Sequence, residues 1–129
     1  MASETLHLQV VSPERMLVDE QVTEAQIPAL DGFIGVLPGH AALLSELKPG
    51  GVLTYVAGGQ LKKLAVYGGF VEVQATIAKV LANGAEFGTE IDKAKARTRL
   101  ATAQKAADTG TQETQEELLK AQAAVEAAG

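Results

Sequence analysis

The sequence predicts a mainly β sandwich of about ten short strands in residues 1–88, followed by an antiparallel α-helical hairpin in residues 89–129. Short apolar segments in the first part are separated by glycine and proline turn signals roughly every eight to twelve residues, which is typical of a sandwich or barrel. After Gly88 no proline occurs, alanine becomes the commonest residue, and the apolar spacing becomes helical. We therefore expect a sandwich domain that ends at Gly88 and a helical domain after it.

The strands are predicted from short segments in which apolar residues alternate with polar ones or are rich in β-branched types. Leu6–Val11 shows the clearest alternation and predicts the first strand. Pro28 has no backbone N–H to donate, so it indicates a strand edge or a strand end. The other predicted strand segments cover residues 16–18, 22–28, 52–56, 61–67, 70–73 and 76–81.

Residues 32–51 contain the most regular turn pattern, with Pro38-Gly39 and Pro49-Gly50 between apolar pieces that are too short for helices. Proline presets φ for a turn and glycine accepts positive φ, so each pair favours a chain reversal. Gly58-Gly59 predicts a two-residue β-hairpin turn in the same way. Residues 32–51 hold no cluster of acids, bases or nucleophiles, which indicates a role in shaping a surface.

The first helix is predicted to run from about Glu90 to Ala107. Its start is indicated by Thr89 and Asp92, whose spacing is a variant of the N-terminal capping box. Gly110 is expected to end the helix in the left-handed conformation.

The second helix is predicted to start near Gln112, with Thr111 as its cap, and to run to about Ala127. The short link between the helices makes them antiparallel. Their shared apolar face is mostly alanine and buries little area per residue, so we expect weak docking on the sandwich. Weak docking is what a movable element requires.

The two helices differ in charge, because the second carries four glutamates against Lys120. The first helix is basic, and each exposed ion pair between the two helices would stabilise their packing by about 0.2–1 kcal/mol. We call its basic residues the basic face: Lys93, Lys95, Arg97, Arg99 and Lys105.

The composition excludes several classes of function. A formal charge of −5 disfavours nucleic-acid binding, which needs clustered Lys and Arg. The absence of cysteine excludes disulfides and thiolate metal sites. No apolar run approaches the roughly 20 residues that span a bilayer, and the N-terminus lacks signal-peptide features, so we expect a soluble protein without direct membrane insertion.

No catalytic or metal-binding constellation is predicted. His40 follows a turn, and Ser45 is the only hydroxyl near it, so a contact or structural role is favoured over catalysis. His7 lies on the polar side of the first strand, and two isolated histidines do not make a metal site. The many glycines fit neither phosphate-loop pattern, which leaves turns as their interpretation.

The run GFIGVLPGHAALLSELKPG, followed by YGGFVEV, resembles the epsilon subunit of F-type ATP synthases, which is called delta in mitochondria. The resemblance covers essentially the whole chain. It implies a non-catalytic central-stalk subunit of the rotor that links gamma to the c-ring and couples proton flow to ATP synthesis. It also implies a peripheral position at the cytoplasmic face of the bacterial inner membrane. The alternative is a small β-sandwich adaptor or binding module with a helical tail.

The resemblance also implies site residues. The c-ring contact of the family matches Asp31, Gly32, Phe33 and His40, although the family often has a second acidic residue where Phe33 stands. Phe33 therefore indicates either a more apolar contact or a core position.

Some bacterial members of the family bind ATP through a pattern that matches Ile91, Asp92 and Ala96. Lys95 replaces the pattern's arginine, and lysine offers a point charge in place of a planar fork. A weak regulatory ATP site and an ordinary helix N-terminus both remain open here; no other cofactor is expected.

The resemblance finally implies that the hairpin approaches the catalytic alpha/beta hexamer and inhibits ATP hydrolysis. The basic face of the first helix fits that role, whereas the acidic second helix does not. We therefore expect inhibition to be weak or to depend on the first helix.

Overall fold

The computed structural model describes residues 4–108 and 110–129 and shows two five-stranded sheets packed face to face. The first sheet has the strand order β2-β1-β9-β8-β5. Its strands are β1 Leu6–Val11, β2 Met16–Val22, β5 Leu43–Glu46, β8 Gly69–Val73 and β9 Ile77–Ala82. The second sheet has the order β10-β7-β6-β3-β4. Its strands are β3 Glu24–Ala29, β4 Gly32–Val36, β6 Gly51–Ala57, β7 Gln60–Val66 and β10 Ala85–Phe87. The predicted sandwich of about ten strands is confirmed.

The main core lies between the two sheets and is built by the alternation of side chains along the strands. In β1 the residues Leu6, Leu8 and Val10 are buried, and the residues between them face outward. Leu53 and Leu64 face them from the second sheet. Because all of the fully buried residues of this cluster come from strands or from Leu47 beside them, the sandwich has a core that contains no helical residue.

Turns join the strands where glycine and proline predict them. At Pro38-Gly39 the His40 N–H donates to the Leu37 carbonyl at 3.1 Å, with Gly39 at φ +86°. Gly58 and Gly59, at φ +58° and +77°, form the predicted turn between β6 and β7. Both predictions are confirmed because the turn residues carry the backbone conformation that these loops require.

The first helix, α1, spans Lys93–Ala107, so the predicted start at Glu90 is wrong. Gly88–Glu90 instead forms a 3₁₀ turn, and Ile91 follows it in an extended conformation at φ −82° and ψ 128°. The capping residue is Asp92, whose carboxylate accepts from the Lys95 N–H at 3.0 Å, and not Thr89. The helix starts late because the Glu90 carboxylate binds other groups, as described below.

The second helix, α2, spans Gln112–Ala128, close to its predicted bounds. Gly110 has φ +76° and donates its N–H to the Ala107 carbonyl, which confirms the left-handed cap at the end of α1. The Thr111 hydroxyl accepts from the Thr114 N–H at 3.2 Å and caps α2 as predicted. Neither helix, within the part of the chain that the structure describes, is long and apolar enough to cross a membrane.

The hairpin lies on the outer face of the second sheet, and α2 makes the contact. Ala123 and Ala127 of α2 pack against Val52 of β6 and Ala65 of β7. The helix α1 packs chiefly on α2 and not on the sheet. The docked surface is therefore made of small side chains, as its alanine content predicts.

Candidate functional site

Asp31, Gly32 and Phe33 lie together at one end of the sandwich, where the chain turns at Asp31 and enters β4. Gly32 has φ +131°, and the neighbouring Leu30 N–H donates to the Glu46 carbonyl at 2.9 Å. Phe33 pairs with Pro28 across the ladder and is 63% exposed, so it is not a core residue. This end presents an acidic residue next to exposed apolar side chains.

His40 lies at the opposite end of β4 from Asp31. The chain runs along β4 to Val36 and then turns, and the Gly39 N–H donates to the Ala75 carbonyl at 2.8 Å. Since a strand rises about 3.3 Å per residue, β4 separates the two positions by about 15 Å. The four residues that the resemblance assigns to one contact thus do not form one surface.

An exposed row of apolar side chains, missed in the sequence analysis, crosses the outer face of the first sheet. The strand register aligns its members side by side on β2, β1, β9 and β8. We call it the apolar row: Met16, Val11, Leu81 and Phe70. Three of these side chains are more than half exposed. In the sequence, apolar residues at the outward-facing positions of three strands could have indicated this row. Only the strand register shows that the side chains lie next to one another.

The residues of the ATP-binding pattern do come together. Ile91, Asp92, Lys95 and Ala96 line a cavity of about 290 Å³ at the start of α1, with Arg99 beside them. Ligand cavities usually measure roughly 300–1,000 Å³, so this one is at the lower end.

Carboxylates and cations are mixed around this cavity. Glu86, Glu90 and Asp92 line it together with Lys95 and Arg99. Glu90 is paired with Arg15 at 2.6 Å, which leaves two carboxylates and two cations. The Glu86 carboxylate accepts a hydrogen bond from the Tyr67 hydroxyl at 2.6 Å. Burial is the larger cause, and this hydrogen bond the next, of a raised pKa of Tyr67. Asp92 caps α1 here, as at an ordinary helix start, and the weak ATP site stays a prediction.

The basic face of α1 is exposed although the hairpin is docked. Arg99 is the only member with an ion pair within residues 4–108 and 110–129, to Glu117 of α2 at 3.8 Å. Its guanidinium also lies 5.9 Å from the centre of the Tyr67 ring. The acidic helix α2 therefore leaves the other four cations to the solvent.

The described residues contain no group of three or more potential metal ligands. His7 binds Asp19 on the outer face of the first sheet, and this hydrogen bond lowers the pKa of the Asp19 carboxyl. His40 Nδ1 lies 2.6 Å from the carbonyl oxygen of Ala41, and this contact is local to the turn.

Exposed apolar side chains on a β-sandwich that carries a helical hairpin are typical of a protein that acts by binding other proteins. The family model for the ATP synthase delta/epsilon chain β-sandwich domain matches residues 5–88. The ATP synthase epsilon chain of Solibacter usitatus is 50% identical over 104 residues, covering 81% of this chain and 77% of that one. That of Carboxydothermus hydrogenoformans is 42% identical over 98 residues, covering 76% and 72%. The chain therefore belongs to the ATP synthase delta/epsilon family, whose epsilon chains are non-catalytic subunits.

Solved structures show the same fold. A chain of the Euglena gracilis mitochondrial ATP synthase, from a structure with OSCP, F1 and the c-ring, superposes with a TM-score of 0.73 at 24% identity. The match covers 95% of this chain and 76% of that one. A chain from the structure of the Tetrahymena thermophila mitochondrial ATP synthase central stalk and c-ring superposes with a TM-score of 0.58 at 14% identity. The match covers 75% of this chain and 73% of that one.

Proposed function

We propose that this subunit is part of the central stalk of a proton-translocating ATP synthase, where its sandwich links gamma to the c-ring. The family assignment supports the complex, and the apolar row supports a large permanent partner. Contiguous apolar surface on a folded domain marks a protein interaction site. The bacterial relatives favour a peripheral position at the cytoplasmic face of the inner membrane.

The apolar row is the observation that carries the gamma contact. Phe70 and Leu81 lie next to each other in the register and are exposed by 54% and 53%. Replacing both with aspartate should abolish co-purification with gamma and leave the fold intact, because neither side chain contributes to the core. The matched control is Leu61→Asp, at a 70% exposed position on the second sheet.

Two results of this experiment would contradict the proposal. Gamma that still binds the Phe70→Asp, Leu81→Asp variant does not use the apolar row. Loss of gamma in the Leu61→Asp control would place the contact on the second sheet. Binding of unrelated proteins in place of gamma would support the adaptor function instead.

The c-ring contact is proposed at the end of the sandwich that carries Asp31 and Phe33, because both are exposed there beside Leu30. Asp31→Lys with Phe33→Lys should weaken ATP-driven proton pumping and leave hydrolysis by the detached soluble portion nearly unchanged. His40→Ala at the opposite end is the control. If only His40→Ala impairs pumping, the other end faces the ring; a parallel fall in pumping and hydrolysis would exclude both.

The hairpin is proposed to restrain ATP hydrolysis through the basic face, which is already exposed in the docked state. Charge reversal of Arg97 and Lys105, which form no ion pair within the described residues, should raise hydrolysis by the assembled complex. Removing residues 89–129 should raise it at least as much. Equal rates for all forms, across ATP concentrations, would exclude the restraint.

A further inference from the structure

Asn83, the only asparagine of the chain, is followed directly by Gly84. The pair forms the turn that carries the chain from β9 of the first sheet to β10 of the second. Asparagine and glycine are both typical turn residues, and asparagine is also among the chemically labile ones. The surroundings of Asn83 therefore decide whether this lability matters in the folded protein.

Two crossings between the sheets lie side by side at this turn. Tyr67 and Gly68 connect β7 of the second sheet with β8 of the first. The Asn83 N–H donates to the Gly68 carbonyl at 2.9 Å, and the Tyr67 N–H donates to the Gly84 carbonyl at 2.9 Å. We call these four residues the corner, and its two hydrogen bonds set the spacing of the crossings.

The side-chain amide of Asn83 and the backbone nitrogen of Gly84 are both accessible at the corner. Asn83 is exposed, and its Nδ2 lies 3.1 Å from where a Cβ on Gly68 would stand. Within residues 4–108 and 110–129, neither the Asn83 amide nor the Gly84 N–H makes a hydrogen bond. Because glycine has no Cβ to shield its nitrogen, the amide can rotate until its carbon meets that nitrogen.

We propose that Asn83–Gly84 is a site of spontaneous deamidation in the folded protein. The Gly84 nitrogen attacks Cγ of Asn83, and the new C–N bond closes a five-membered succinimide ring. The bond between Cγ and Nδ2 breaks, and the side-chain nitrogen leaves as ammonia with the proton from Gly84. Water then opens the ring at one of its two carbonyl carbons. The inference concerns the chain itself and does not rest on its partners.

The two ways of opening the ring give different products. Opening at Cγ leaves aspartate with an unchanged main chain, and opening at the backbone carbonyl carbon leaves isoaspartate. Both products add one negative charge to the formal −5 of the chain. Asn83 lines a cavity of about 380 Å³ together with Glu46, Glu116 and Lys120, so the new carboxylate is the third there against one lysine.

Isoaspartate should disturb the corner more than aspartate does, because its main chain runs through the side chain and is one methylene longer. The neighbouring strands leave no room to absorb this length, since a Cβ on Gly69 would overlap the Leu81 carbonyl oxygen. The extra methylene displaces Gly84 from Tyr67, whose N–H its carbonyl binds. We therefore expect a lower urea midpoint for the isoaspartate form than for the aspartate form.

Incubation of the folded full chain in mildly alkaline buffer tests the proposal, because the backbone nitrogen attacks in its deprotonated form. Mass spectrometry follows the exchange of ammonia for water, and no second asparagine confuses the assignment. Labelling by an isoaspartyl methyltransferase measures the share of isoaspartate. We expect a mass change at Asn83, a rate that rises with pH, and both products.

Two substitutions at the turn are matched controls. Gly84→Ala keeps Asn83 but places a methyl group beside the attacking nitrogen, and its Cβ would lie 3.5 Å from the Tyr67 ring, an ordinary contact. Asn83→Gln keeps an amide but must close a six-membered ring, which forms far more slowly. Both should deamidate many-fold more slowly than the wild type. Asn83→Asp supplies the aspartate product as the reference for the urea midpoint.

Three results would overturn the proposal. If the chain deamidates in urea but not when folded, the corner protects Asn83. If Gly84→Ala deamidates as fast as the wild type, the amide is lost by direct hydrolysis and not through the ring. An isoaspartate form with the same urea midpoint as Asn83→Asp would show that the corner accommodates the longer main chain.

Discussion

Gly69, in the GGFVEV motif, shows at the scale of one residue why the motif needs glycine. It begins β8 at φ +126°, and a Cβ on it would overlap the Leu81 carbonyl oxygen and lie 2.9 Å from the Ala82 Cα. Its carbonyl accepts from the Leu47 N–H at 2.8 Å, which ties β8 to the end of β5. The position combines a backbone conformation and a close approach that other residues do not permit.

Gly69→Ala should lower the free energy of unfolding by at least roughly 1–3 kcal/mol, the usual cost of such backbone strain. Urea denaturation followed by circular dichroism measures the change. Gly35→Ala is the control, because Gly35 has open space and no positive φ. Equal effects of the two substitutions would show that the close approach at Leu81 is relieved at little cost.

Glu90 provides a second example, in which the pairing of one side chain makes stability depend on pH. The hydrogen bond from Arg15, and to a lesser extent that from the Phe87 N–H, holds the pKa of the Glu90 carboxyl below its usual value. A carboxyl whose pKa is lower in the folded state than in the unfolded state stabilises the fold. The stabilisation is fully present at a pH above the unfolded-state pKa of about 4.3, and it is lost as the pH falls through the folded-state pKa.

Glu90→Gln should therefore be less stable than the wild type at neutral pH, and the difference should vanish in acid. Urea midpoints measured between about pH 3 and pH 7 test this. Glu24→Gln, which removes the same charge from an exposed position on β3, controls for net charge. A difference that persists unchanged in acid would mean that the carboxylate charge is not what stabilises the turn.

At the scale of the elements, α2 and not α1 docks the hairpin on the sandwich. Among the residues that the structure describes, Arg99 is the one member of the basic face that pairs with a glutamate of α2, so ion pairs contribute little to holding α1 on α2. Isolated helices of about this length are marginal in water, and α1, with 15 residues, packs chiefly on α2 and not on the sheet. Its order therefore depends on α2.

A chain that ends at Gly110 should lose the helical structure of α1 as well as that of α2. Its circular dichroism should match that of a chain that ends at Gly88. Helical signal retained after the cut, with slow amide exchange in residues 93–107, would show that α1 holds to the sandwich by itself.

At the scale of the whole molecule, stability is concentrated in the sandwich. Its core joins large side chains from both sheets, whereas the hairpin interface consists mainly of alanine, glycine and Val52. Since burial contributes roughly 25 cal/mol per Å² of apolar surface, the two interfaces differ widely in strength.

Hydrogen exchange should accordingly show the helices opening at a lower free energy than β1, β8 and β9. The sandwich of residues 1–88 should unfold cooperatively by itself. If strands and helices share one opening free energy, or if residues 1–88 form a molten product, the hairpin belongs to the cooperative core.

The sequence by itself determined most of the strand segments, though not β10, and also the turns and most of the helix ends. Features such as Gly58-Gly59, Gly110 and Thr111 act on neighbours within a few residues, so their effect can be inferred from local composition. The family could also be inferred, because its glycine and proline pattern lies within two continuous runs.

Tertiary structure alone decided how distant residues meet. The late start of α1 depends on Glu90 pairing with Arg15, 75 residues away. The separation of Asp31 from His40 depends on the course of β4, and the apolar row depends on the register of four strands. Such contacts arise from packing between segments that are far apart in the chain, and local pattern carries no record of that packing.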